Sequence, residues 1–91
     1  MPGVNRSRLR IIKSIQRATI TFAAATTATA TITSVDTTKA LLSHLGVVAG
    51  AGNSFTNDSI RLELTNATTV TATRAGASGT PIVGFEVIEY F

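Results

Sequence analysis

The sequence predicts an all-β protein: an antiparallel β-sandwich of about six strands, preceded by an extended basic N-terminal arm. Three observations carry that expectation. Segments alternating with period two, rich in threonine and other β-branched residues, recur from Ser14 to Phe91. Short glycine- or asparagine-bearing stretches separate them, as connections in an antiparallel sandwich would. Charge is concentrated at one end: five of the eight basic residues (Arg6, Arg8, Arg10, Lys13 and Arg17) precede Asp36, the first acidic residue.

Residues 1–13 form the arm, and residues 14–91 the sandwich domain. Within the arm, Arg6, Arg8 and Arg10 recur at period two, so an extended chain would project them to one side. Residues 14–23 read as a strand with Gln16, Ala18, Ile20 and Phe22 on one face. Ile15, Arg17, Thr19 and Thr21 lie on the other, mostly polar face. Residues 28–35 alternate Ala28, Ala30 and Ile32 against Thr29, Thr31 and Thr33. Cross-strand threonine pairs there add about 0.2–1 kcal/mol each relative to alanine.

Residues 36–48 admit two readings. Asp36 could cap a helix that Gly46 ends, with Leu41, Leu42 and Leu45 as its stripe. As a strand, Ala40, Leu42 and His44 would face one way and Leu41, Ser43 and Leu45 the other. The β context on both sides favours the strand. Residues 49–58 make the longest loop, with Phe55 as its anchor. Residues 59–65 place Ile60, Leu62 and Leu64 inward and Arg61 and Glu63 outward. A turn at Asn66-Ala67 then sends 68–74 back as a hairpin partner. After the turn at 75–80, residues 81–91 form the terminal strand, with Val83, Phe85 and Val87 on one face. Gly84, Glu86, Ile88 and Tyr90 give its other face enough apolar character to call for cover from outside the monomer.

Ninety-one residues make one small domain with a thin core. The chain has no cysteine, so neither a disulfide nor a thiolate metal site can brace it, and self-association is the remaining common route to stability. The net charge is +3 and only 14% of residues are charged, which suits a surface that packs against neighbours. Threonine and charged residues interrupt every apolar run, so no membrane span is expected. Gln16, Arg17 and Thr19 fall where the apolar core of a signal peptide would sit.

Nothing in the sequence assembles a catalytic or metal-binding constellation, and no cofactor is expected. His44 is the single histidine, and no G-x-S-x-G elbow accompanies it. It reads as a strand residue at a sheet edge or interface. Glu86 and Glu89, three apart, point to opposite faces of a strand and cannot act as an acid–base pair; they are expected to be solvated or paired with basic residues from another copy. The glycine-bearing segments 46–52 and 75–80 lack the Gly-Lys-Ser/Thr ending of a phosphate loop. The sequons at Asn5, Asn57 and Asn66 arise readily in a threonine-rich chain and carry no weight.

From Ile15 onward the order of strand segments resembles small virion proteins of tailed bacteriophages. The segments that carry the likeness are Ser14–Phe22, Thr29–Leu42, Arg61–Arg74 and Val83–Phe91, with SIQRATITF, TATITSVDTTKALL, RLELTNATTVTATR and VGFEVIEYF standing in this chain. The resemblance implies a non-enzymatic structural role in the virion, assembled in the host cytoplasm. That role would be capsid decoration (cement), bridging shell subunits such as the major capsid protein, or a tail or fibre component. The strand succession is also similar to the trimer-forming H-type lectin sandwich. The tryptophan expected near that fold's last strand is absent here, against a sugar-binding module for cell-surface glycans.

The arm residues Arg6, Arg8, Arg10, Lys13 and Arg17 are assigned to partner binding. An anchor along an acidic groove ranks above a solubilising tail, and both rank above nucleic-acid binding, because the arm lacks aromatic residues on which bases would stack. Phe85, Tyr90 and Phe91 are assigned to the core or to an oligomer interface. The chain is expected to form a homo-oligomer, with a trimer as the leading arrangement.

Overall fold

A computed structural model describes residues 11–49 and 59–91. The arm residues Arg6, Arg8 and Arg10, and the loop at 50–58 with Phe55, lie outside the described residues. The described residues form an all-β sandwich of six strands: β1 (Ile12–Thr21), β2 (Thr27–Thr31), β3 (Ala40–Val48), β4 (Arg61–Asn66), β5 (Thr69–Thr73) and β6 (Ile82–Tyr90). They make two antiparallel three-stranded sheets, ordered β1-β6-β3 and β2-β5-β4.

Alternation along each strand decides what is buried. On β6, Val83, Phe85 and Val87 are fully buried, while the residues between them stay half-exposed. Ile20 and Phe22 join them from the β1 side, and Leu42 and Val47 pack against the cluster from β3. The second sheet contributes Val70 and Ala72 from β5, with Ala28, Ala30, Leu62 and Leu64 packed around them. Alanine-rich inner faces on β2 and β5 leave volume for the two phenylalanines, the large-against-small arrangement that fills a thin core without voids.

The segment at 36–48 resolves as strand, with one turn of 3-10 helix (Thr37–Lys39) before it. Asp36 does cap that turn: its Oδ1 accepts from the Thr38 N–H at 3.0 Å and from the Thr38 hydroxyl at 2.7 Å. Gly46 serves a β-bulge between His44 and Gly46, where its φ of +122° suits glycine. Strand β2 stops at Thr31, earlier than the alternation through 28–35 implies. Beyond it, the Ile32 and Val35 N–H groups donate to the Thr68 and Ala67 carbonyls in the β4–β5 turn. That turn sits at Ala67-Thr68, one residue past its expected place, and Asn66 Oδ1 braces it by accepting from the Thr68 N–H at 2.9 Å.

The Asp36 cap gives a pH-dependent contribution. Hydrogen bonds from the Thr38 side chain and backbone hold its carboxyl below the ordinary value of 3.8, with Lys39 and Lys13 adding to the effect. A carboxylate depressed in the folded state stabilises above its unfolded pKa, and the contribution disappears as pH falls through the folded value. Asp36→Asn is therefore expected to flatten the decline of melting temperature below about pH 4. A titration slope indistinguishable from the parent's would contradict the cap's role.

Candidate interaction face

Two outward faces of opposite character result. On the β2-β5-β4 sheet, the register sets Thr27 beside Thr73, Thr29 beside Thr71 and Thr31 beside Thr69. Arg61 and Glu63 continue the first two rows on β4. The outcome is a hydroxyl-rich sheet face.

The β1-β6-β3 sheet differs. Its register aligns Ile15, Ile88 and Leu41 in one row and Thr21, Ile82 and Val48 in another, with Ile12 beside Tyr90 at the end. Ile15, Leu41, Leu45 and Val48 are all about half exposed or more. Leu45 lies over Gly84, whose missing side chain leaves it room: a Cβ built on Gly84 would stand 3.4 Å from the Leu45 Cβ. Period-two reading of β1 alone made this a mostly polar face. Strand pairing corrects it, because β6 and β3 lay their aliphatic residues alongside Ile15.

The charges on this face are already bonded to each other. In the row between the aliphatic ones, Arg17 Nε donates to Glu86 Oε2 at 2.6 Å, and Arg17, Glu86 and Ser43 share the register. On the inner side, Glu89 is buried. Its Oε2 accepts from the Asp36 N–H at 2.8 Å, its Oε1 accepts from the Ser14 hydroxyl at 3.3 Å, and Lys13 Nζ lies 3.9 Å away.

These contacts revise the reading of the basic residues and the carboxylates. β1 begins at Ile12, so Lys13 and Arg17 belong to the sheet, and they pair with Glu89 and Glu86 of the same chain. Neither glutamate waits for an arm from another copy. The antiparallel β1–β6 ladder places the two strands' charges opposite each other before any partner arrives.

The three assigned aromatics separate. Phe85 is sealed in the core, Tyr90 is half-buried on the outer face, and Phe91 is 65% exposed at the end of the sheet. Its N–H donates to the Ile11 carbonyl at 3.1 Å, and the alternation of β6 gives Phe91 the parity of Val87 and Glu89, not that of outward Tyr90. His44 stands on β3 at the bulge, where its Nδ1 accepts from the Gly46 N–H at 3.1 Å.

Sequence reasoning missed one buried basic residue. Arg74 is 4% exposed, and its guanidinium lies 4.6 Å from the Phe22 ring centroid. It donates to the carbonyls of Ala25 at 2.8 Å, Ser78 at 2.7 Å and Gly79 at 3.3 Å. The signal was present: Arg74 shares parity with buried Val70 and Ala72, as Glu89 does with Val87.

The described residues enclose no cavity, and among them no group of three metal-ligating side chains comes together. No helix among them is long and apolar enough to cross a membrane. No protein-family model, curated protein or solved structure matches the chain.

Proposed function

We propose that this chain is a non-enzymatic structural subunit of a tailed-bacteriophage particle, a capsid decoration (cement) protein that bridges shell subunits. The observation that carries the reading is the apolar outer face of the β1-β6-β3 sheet. Exposed aliphatic residues aligned across three strands are costly to leave wet and mark a surface that meets another protein. The face has the makings of an interface core: aliphatic rows, an aromatic ring at Tyr90 toward one end, and few charges.

Placement in a virion rests on the resemblance carried by Ser14–Phe22, Thr29–Leu42, Arg61–Arg74 and Val83–Phe91. Arg6, Arg8 and Arg10 supply positive charge ahead of the sheet for seating on an acidic shell surface. Repetition of such contacts around a shell would hold the subunit by avidity, with no single strong site.

The test is labelling. Antibody raised against the folded domain, applied to purified particles under the electron microscope, is expected to decorate the shell. Label confined to the tail would replace the cement assignment with a tail or fibre component, and label on no particle would overturn the virion reading. The structure also places the informative truncation: removing residues 1–10 spares β1, whereas a cut at 13 removes the Lys13 contact with Glu89. The chain lacking 1–10 is expected to keep its β-sheet circular-dichroism signal and lose shell labelling. Full occupancy by that chain would show that the arginines do not anchor it.

A further inference from the structure

We infer that the outer face of the β1-β6-β3 sheet packs on the same face of a second copy of this chain. The inference rests on reading the chain as an assembly subunit, and it does not depend on where the assembly sits.

Charge is the first argument. Arg17 and Glu86 are bonded to each other at 2.6 Å in the middle of the face. Covering the face therefore buries a pair that is already neutral overall, whereas an unpaired ion there would carry a large desolvation cost. A strongly acidic or basic partner would gain nothing from such a surface. A second copy presents what it needs: aliphatic rows and one internally neutralised pair.

Area is the second argument. Three strands of nine or ten residues span roughly 30 by 14 Å, or about 400 Å² per copy in projection. Pairing two copies buries about 800 Å². The total lies below the roughly 1,200 Å² at which standard specific interfaces begin, in the range of weak and transient contacts, which sets the expected strength. Association should be micromolar, reversible in dilute solution and consolidated only where many copies are held together.

The absence of cysteine permits a direct test, because one introduced thiol gives an unambiguous cross-link. The full chain should sediment with a concentration-dependent mass rising from one copy to two or more. Leu41→Cys and Ile15→Cys should give covalent dimers with a bifunctional thiol-reactive cross-linker long enough to span the face, and Thr29→Cys, on the hydroxyl-rich face, should not. Leu41→Asp should weaken association by on the order of a hundredfold, since it places an unpaired charge in the contact. Leu41 is about half exposed in the single chain, and the cysteine variants provide a readout should the aspartate variant fail to fold.

A protein that stays a single copy at hundreds of micromolar, or that cross-links equally through Thr29→Cys, would overturn the inference. If that protein still labels particles, the structural-subunit reading survives and the face covers a different partner. Binding of the single copy to neutral lipid vesicles would assign the face to a membrane surface and overturn the inference as well.

Discussion

Arg74→Ala is expected to lower unfolding free energy by about 3 kcal/mol, a large share of the roughly 5–10 kcal/mol available to a domain of this length. The guanidinium reaches Ala25 in the β1–β2 connection and Ser78 and Gly79 in the β5–β6 connection. One side chain thus ties together the two loops at one end of the sandwich. Its own backbone N–H adds a bond to the Thr26 carbonyl, and Ala24, at φ 52°, bends the loop beside these carbonyls. Truncation removes the charged donors and the stack on Phe22 together, opening space beside a fully buried ring. Arg74→Lys retains the charge but not the planar fork that serves several carbonyls, so it should recover less than half of the loss. Chemical denaturation gives the measurement. A midpoint for Arg74→Ala within error of the parent's would show that water replaces these bonds at little cost.

Phe85→Ala should be at least as damaging, at about 3–5 kcal/mol. Phe85 is fully buried on β6, paired with Ala18 on β1 and His44 on β3. A cavity there cannot close without moving the strand that holds its sheet together. Phe85→Leu should cost much less, because it keeps most of the volume. The other aromatics should behave differently. Phe91→Ser should leave the denaturation midpoint nearly unchanged, because the ring is already exposed. A large stability loss from Phe91→Ser, or a negligible one from Phe85→Ala, would contradict these placements.

The fold was largely legible because alternation is a local signal and this chain repeats it in every strand. Val83, Phe85 and Val87 sort inward from β6 alone, and Asp36 and Gly46 stand out as special positions. Their use was less legible. A capping aspartate and a terminating glycine suit a helix, and only β6, distant in sequence, shows that Gly46 serves a bulge opposite Gly84. The outer face was hidden for the same reason. Ile15 among Arg17, Thr19 and Thr21 is one apolar residue on a polar strand until the register brings Ile88 and Leu41 beside it. Arg74 and Glu89 were obscured by the expectation that charge stays outside. Their positions in the alternation give them away, but only main-chain groups from other segments make their burial tolerable. Composition groups Lys13 and Arg17 with the arm, and it cannot see that β6 presents a glutamate to each.

One consequence of the topology concerns how the chain is made. The central strand of the β1-β6-β3 sheet is the latest of the six in chain order, and β1 and β3 touch it but not each other. During synthesis, both flanking strands must wait beyond the ribosome exit without their neighbour until the segment from Ile82 to Tyr90 emerges. A high contact order of this kind slows folding and prolongs the exposure of Ile15, Leu41 and Val48 in the nascent chain. The hairpin of β4 and β5 has no such delay, which makes it the natural first piece to form.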